Sequence, residues 1–276
     1  TLPTVSLALK NTILNLSQKK ITQQPFSMVA AYDATFSMAL NQAGIASILV
    51  GDSLGMVVQG QASTLPVTIE QMVYHTEAVA SANLRAEEPA LIIADLPFMS
   101  YATTESALTN AAMLMRAGAN MVKLEGGSWL AETVAQLVER GIPVCGHIGL
   151  TPQSVNKFGG FKVQGRLPEQ QQQLIEDAKQ LDRAGADFIV LECIPKELAS
   201  TITSSVDCST VGIGAGNVTD AQVLVCYDIL GLSNNPARFV KNFISASDSD
   251  NPIIDAFSHF KESVEKKRYP AAEHEY

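Results

Sequence analysis

Short apolar runs punctuate this chain at Ser27–Tyr32, Ala46–Val50, Ala90–Ala94, Asn120–Leu124, Pro143–Gly146, Asp187–Leu191, Thr210–Ile213 and, more weakly, Val223–Cys226. Within each run Val, Ile, Leu, Met and Ala follow one another with few polar residues between them. A strand wetted on one face alternates apolar and polar; a strand covered on both faces does not, so these runs predict parallel strands beneath helices. Apolar positions spaced for a helix appear between them, over Ser106–Ala117, Leu130–Arg140 and Gln170–Ala184. Ala43-Gly44-Ile45, Ala117-Gly118-Ala119, Arg140-Gly141-Ile142 and Ala184-Gly185-Ala186 each close a helix just before a strand, with glycine where the backbone turns left-handed. Eight such strands with intervening helices predict a (β/α)8 barrel, with a doubly wound open sheet as the alternative. No Pro/Gly/Ser linker or low-complexity tract interrupts the chain, so residues 1–276 read as a single domain. A helix at about Ser6–Lys19 and a pair at about Ala237–Ser245 and Ile253–Lys267 are expected outside the barrel.

Composition adds exclusions. With 46% hydrophobic and 17% charged residues, the 276-residue chain can bury a large core and is not a disordered one. Nineteen Lys and Arg against 28 Asp and Glu give a net charge of −9, the wrong sign for a general nucleic-acid binder. The apolar runs are strand-sized, whereas a membrane span needs about 20 residues. Lys10, Lys19 and Lys20 occur in the first 20 residues without a compact apolar block, unlike a secretory signal. Cys145, Cys193, Cys208 and Cys226 are scattered without a C-x-x-C pair, which fits a reducing compartment and a cytoplasmic protein.

The candidate chemistry lies at the ends of the runs, where Asp33, Asp52, Asp95, Glu125, His147 and Glu192 stand. In a barrel all parallel strands finish at one rim, and that rim carries the site. Carboxylates gathered there repel one another unless a cation neutralises them or some stay protonated. Oxygen ligands that are few in number, with room for water and substrate, describe magnesium better than calcium, and no histidine cluster suggests zinc. Lys123, two residues before Glu125 on the same strand face, would attract an anionic substrate. The plainer readings are helix capping for Asp33, a salt bridge for Lys123, a satisfied rim histidine for His147, and packing or surface positions for His75, His259 and His274. Two glycine-rich stretches, Gly159–Arg166 and Gly212–Gly216, are loops that let backbone approach a ligand or a neighbour.

Several segments carry a resemblance: Ala31-Tyr32-Asp33, Val50–Met56 (VGDSLGM), Gly60–Val67 (GQASTLPV), Ala94–Met99 (ADLPFM), Met115–Gly127 (MRAGANMVKLEGG), Val144–Asn156 (VCGHIGLTPQSVN), Phe158–Arg166 (FGGFKVQGR), Leu191-Glu192-Cys193 and Gly212–Asp220 (GIGAGNVTD). In this order they resemble the ketopantoate hydroxymethyltransferase family from about residue 27 onward. The resemblance implies a (β/α)8 barrel that moves a hydroxymethyl group from 5,10-methylenetetrahydrofolate to 3-methyl-2-oxobutanoate, giving 2-dehydropantoate for pantothenate synthesis through a magnesium-stabilised enolate. It implies Mg2+ held by Asp52, Asp95 and Glu125, the last directly or through water. Oxo-acid contacts fall on Asp52, Ser53, Asp95 and Lys123, and the general base on Glu192; His147 is read, from its strand-end position and not from the resemblance, as a supporting residue. The resemblance also implies a homo-oligomer, a decamer in bacterial members. Ala221, Tyr227 and Cys208-Ser209-Thr210 depart from the family pattern around the last two strands. A lyase or mutase of the phosphoenolpyruvate type, a Schiff-base aldolase using Lys123, and a non-catalytic binding barrel are the alternatives.

Overall fold

A computed structural model describes residues 11–244 and 250–276. Eight parallel strands close into a barrel in sequence order: β1 (Phe26–Ala30), β2 (Ser47–Val50), β3 (Leu91–Asp95), β4 (Met121–Glu125), β5 (Val144–Gly149), β6 (Phe188–Glu192), β7 (Ser209–Ile213) and β8 (Ala221–Val225). The ring shuts where Phe26 of β1 registers with Ala221 of β8. All eight apolar runs of the sequence fall on these strands. Each residue of β1 to β5 is buried, which is why the runs do not alternate.

The helices that cover the strands start and stop where local chemistry directs. Thr68 and Thr103 cap the helices Ile69–Asn83 and Thr104–Arg116 through their side-chain oxygens. Gly44, Gly118, Gly141 and Gly185 all take positive φ between a helix and the next strand. At Gly118 a Cβ would come within 2.5 Å of the Ala80 side chain, so the position requires glycine on two grounds.

Outside the barrel the described residues include a helix at Ile13–Ile21 and another at Pro252–Glu265. Residues 1–10, the start of the expected first helix, lie outside the described residues, as do residues 245–249. The Ile13–Ile21 helix closes the rim where strands begin: Lys20 Nζ donates to the carbonyls of Thr203 and Cys208 and to Asp220 Oδ2, at 2.9, 2.9 and 3.1 Å.

The helix expected at Ala237–Ser245 is absent over its described part. Phe239 and Phe243 are buried at a helical spacing, but the backbone bonds elsewhere. Phe243 N–H donates to the Ile229 carbonyl, and the Phe239 carbonyl accepts from the Tyr269 hydroxyl. These long-range bonds and an aromatic cluster of Phe243, Phe260 and Tyr269 hold the segment in an irregular path. His274, expected at the surface, is buried against Tyr269.

Candidate active site

The strand ends deliver their polar side chains to one mouth. A cavity of about 210 Å³ there is lined by Asp52, Ser53, Asp95, Lys123, Glu125, His147 and Glu192, with Leu49, Val190, Ile213 and Val223 among its apolar walls. Every substrate, metal and base residue expected from the sequence is on that list. Asp33 is not. Its carboxylate caps the helix Ala34–Gln42, accepting from Phe36 N–H at 2.9 Å, because the chain turns into a helix directly after β1. Four of the five strand-end carboxylates therefore reach the cavity, which Asp228 also lines.

These groups form one connected network. Lys123 Nζ lies 2.9 Å from Asp95 Oδ1 and 3.6 Å from Glu125 Oε1. Asp52 N–H donates to Asp95 Oδ2 at 3.0 Å, joining the ends of β2 and β3. His147 bridges two glutamates, with Nδ1 3.3 Å from Glu125 Oε1 and Nε2 3.2 Å from Glu192 Oε2. Glu192 is the most open of these side chains, at 15% exposure against 4% or less for Lys123, Glu125 and His147.

Burial and neighbours set the charges. Burial, then the nearby Asp95 and Glu125, push Asp52 well above the usual carboxylate range. Asp95 is also pushed up by burial, against the pull of Lys123. Burial would raise Glu125 as well, but His147 and Lys123 prevail and hold it low. Lys123 is raised despite its burial because Asp95, Glu125 and Asp52 surround it, so it stays an ammonium. Burial and Lys123 push His147 down, yet Glu125 and Glu192 outweigh them and lift it to about 9. His147 is thus lifted toward its imidazolium form, with Glu125 beside Nδ1 and Glu192 beside Nε2, although Nε2 makes no hydrogen bond of good geometry. The 3.3 Å approach of Lys123 Nζ to Nδ1 is then a crowding of like charges that the two glutamates offset, not a hydrogen bond.

Three contributors had no signal in the sequence. Gln153, in the loop after β5, donates from Nε2 to Asp52 Oδ2 at 2.9 Å and from its backbone N–H to Glu125 Oε2 at 2.9 Å. Tyr101 donates its hydroxyl proton to Gln153 Oε1. The hydroxyl of Tyr32 meets Ser53 Oγ at 2.8 Å. Neutral polar residues in loops do not stand out from solvated ones; Tyr32 and Gln153 lie inside the quoted motifs, and Tyr101 lies outside them. The backbone at Glu192 is fixed by close packing. Gly149 pairs with Glu192 at φ +91°, and a Cβ there would lie 2.3 Å from the Glu192 carbonyl oxygen. The Gly159–Arg166 loop reaches the cavity through Phe161, and Gln164 N–H bonds the Cys193 carbonyl beside Glu192. His75 Nδ1, from the helix Ile69–Asn83, contacts the Tyr32 carbonyl at 2.7 Å and so braces the end of β1.

Among the described residues no three His, Cys, Asp or Glu side chains stand together as a ready metal cage. The donor set fits a cation that needs few protein ligands. Both Glu125 oxygens are engaged, by His147 and Lys123 on one side and by Gln153 on the other. Asp52 and Asp95 are adjacent and buried; Asp95 Oδ2 accepts from Asp52 N–H, and Asp95 Oδ1 has no partner besides the Lys123 ammonium. Two carboxylates with retained water and substrate oxygens is the magnesium pattern.

The sequence model of the ketopantoate hydroxymethyltransferase family matches residues 10–272 of this chain. A 3-methyl-2-oxobutanoate hydroxymethyltransferase from Marinobacter nauticus is 53% identical over 95% of this chain and 97% of its own length. The enzyme of the same name from Photorhabdus laumondii is 53% identical over 96% and 98%. Among solved structures, a phosphonopyruvate hydrolase superposes with a TM-score of 0.59 at 14% identity, over 95% of this chain and 99% of that one. A phosphoenolpyruvate phosphomutase from Streptomyces platensis gives 0.59 at 12%, over 79% and 82%. At such identities these two structures speak for the barrel alone.

Proposed function

The chain belongs to the ketopantoate hydroxymethyltransferase family, and from that premise we propose that its barrel mouth adds a hydroxymethyl group to 3-methyl-2-oxobutanoate. The donor in this reading is 5,10-methylenetetrahydrofolate and the product 2-dehydropantoate, a step of pantothenate synthesis. The observation that carries it is the gathering of Asp52, Asp95, Lys123, Glu125, His147 and Glu192 around one small cavity, in a chain that matches the family over nearly its whole length.

The substrate is an anion with a keto group beside its carboxylate, and it requires loss of a proton from C3. The Lys123 ammonium, held charged by its carboxylate neighbours, attracts and orients the substrate carboxylate. Asp52, Asp95 and Glu125 would hold Mg2+, Glu125 directly or through water. When bound there, the ion supplies a Lewis acid for the keto oxygen and lowers the cost of removing the C3 proton. Glu192 Oε2 accepts that proton, kept in place by the His147 imidazolium 3.2 Å away. The C3 electron pair then bonds to the methylene carbon of the folate; the two C–N bonds of that carbon break, water supplies the hydroxyl oxygen, and tetrahydrofolate leaves with one proton from the water and the one taken from C3. Ser53, whose hydroxyl is set by Tyr32, faces the same cavity and bonds the oxo acid.

The permanently charged Lys123 speaks against the Schiff-base alternative, which needs a free amine. A lyase would cleave the oxo acid without folate. Incubation with 3-methyl-2-oxobutanoate, methylenetetrahydrofolate and Mg2+ tests the reading: folate-dependent 2-dehydropantoate that disappears with chelator supports it, and folate-independent cleavage overturns it. The same reading takes residues 1–276 as one domain of a cytoplasmic homo-oligomer, a decamer, checked by light scattering. The exposed Leu14, Leu84 and Trp129 are apolar surface that assembly would cover. Among the described residues no helix is long and apolar enough to cross a membrane, and the four cysteines are buried and unpaired.

A further inference from the structure

The Gln153 side chain is a neutral amide buried beside the carboxylates, and both of its polar ends have partners. Nε2 donates to Asp52 Oδ2 at 2.9 Å and to the Leu96 carbonyl at 3.0 Å. Oε1 accepts from the Tyr101 hydroxyl, and the backbone N–H donates to Glu125 Oε2. The amide has only one possible orientation. The Leu96 carbonyl and a carboxylate can only accept, so the NH2 group must face them and the oxygen must face Tyr101. Tyr101 has a single proton, directed at Gln153 Oε1 and, at 3.1 Å, at the Glu125 carbonyl, while its oxygen accepts from Glu125 N–H at 3.3 Å. One residue of the loop after β5 therefore ties together the ends of β2, β3 and β4.

The consequence concerns which carboxylate oxygens remain for a ligand. Gln153 takes Oδ2 of Asp52 and leaves Oδ1, and its backbone takes Oε2 of Glu125. An untethered Asp52 could rotate about its terminal bond and present either oxygen, or approach Asp95 more closely and gain a proton. Partners that orient metal ligands from behind affect affinity by about 10–100-fold.

We propose that Gln153, with Tyr101 behind it, is the positioning residue of this centre: its side-chain amide sets the orientation of Asp52 for the cation and couples it to Glu125. This rests on the magnesium reading above. No reacting atom touches Gln153 in this role, so its effect passes through the carboxylates.

Calorimetric titration with Mg2+ alone is the test, on wild type, Gln153→Met and Tyr101→Phe. Methionine keeps the length and burial of glutamine and removes both side-chain functions. Gln153→Met is expected to lose at least tenfold in Mg2+ affinity with a near-native far-UV spectrum, and Tyr101→Phe about threefold. Turnover by Gln153→Met is expected to climb back as Mg2+ is raised, which a purely structural defect would not allow. Tight wild-type binding with a folded Gln153→Met within twofold of it overturns the proposal and leaves the magnesium reading standing. A wild type that binds no Mg2+ overturns both. If Gln153→Met does not fold, Tyr101→Phe decides: unchanged affinity overturns the proposal, and a loss supports it.

Discussion

Replacing Lys123 with methionine removes the one ammonium that, among the described residues, pairs with Asp95 and Glu125, while keeping most of the side-chain volume. At 2.9 Å and an effective dielectric near 20, its attraction to Asp95 is about 6 kcal/mol before desolvation is counted. The lysine itself had to leave water, so the net worth of the pair is much smaller. The variant nevertheless leaves the acids buried without their counter-charge, and breaking a buried pair on one side costs about 3–5 kcal/mol. Asp52 and Asp95 are already pushed upward by burial, and loss of Lys123 pushes them further, so the variant should take up protons and regain part of its stability as pH falls. Urea denaturation in EDTA at pH 7.5 and pH 5.5 measures both effects. A loss of about 3–5 kcal/mol at the higher pH, shrinking at the lower, is expected. A Lys123→Met protein within about 1 kcal/mol of wild type at pH 7.5 would refute the claim that this ammonium neutralises the mouth.

Asp95→Asn should weaken Mg2+ binding at least tenfold by calorimetry; equal affinity would remove Asp95 from the ligand set. His147 carries a folded pKa of about 9, above its unfolded value near 6.5. Its contribution to stability, on the order of a few kcal/mol, is therefore complete below pH 6.5 and lost as pH rises through 9. In EDTA, wild type should lose stability across that window and His147→Gln should lose less, as read from urea midpoints; parallel curves would contradict the assignment. Gly149→Ala adds a methyl at φ +91° within 2.3 Å of the Glu192 carbonyl oxygen. It should cost about 1–3 kcal/mol and displace the base, lowering kcat more than KM; wild-type kcat would show that β5 does not set the position of Glu192.

The barrel was legible because its strands are buried on both faces, and only a parallel sheet under helices makes eight short apolar runs of that kind. The acidic rim was legible for a related reason: an ionisable group ending an apolar run has to be accommodated, and Asp52, Asp95, Glu125 and Glu192 share that position. Asp33 shares it too and is absorbed by a local cap, which a position at a strand end alone does not reveal. Gln153 and Tyr101 were not legible because uncharged residues in loops earn their roles from distant partners, 101 residues away in the case of Gln153 and Asp52. The Ala237–Ser245 segment misled through Phe239 and Phe243, whose helical spacing serves an aromatic cluster while the backbone bonds to Ile229 and Tyr269.

The central claim is that a divalent ion at Asp52 and Asp95 and a base at Glu192 together remove the C3 proton of the oxo acid. Deuterium uptake at C3 of 3-methyl-2-oxobutanoate in D2O, followed by proton NMR without folate, measures that step alone. The account requires rapid uptake by wild type with Mg2+, loss of uptake on adding EDTA, and a fall of about 10²–10⁴-fold in Glu192→Gln. Uptake that persists at the wild-type rate in EDTA or in Glu192→Gln would contradict it.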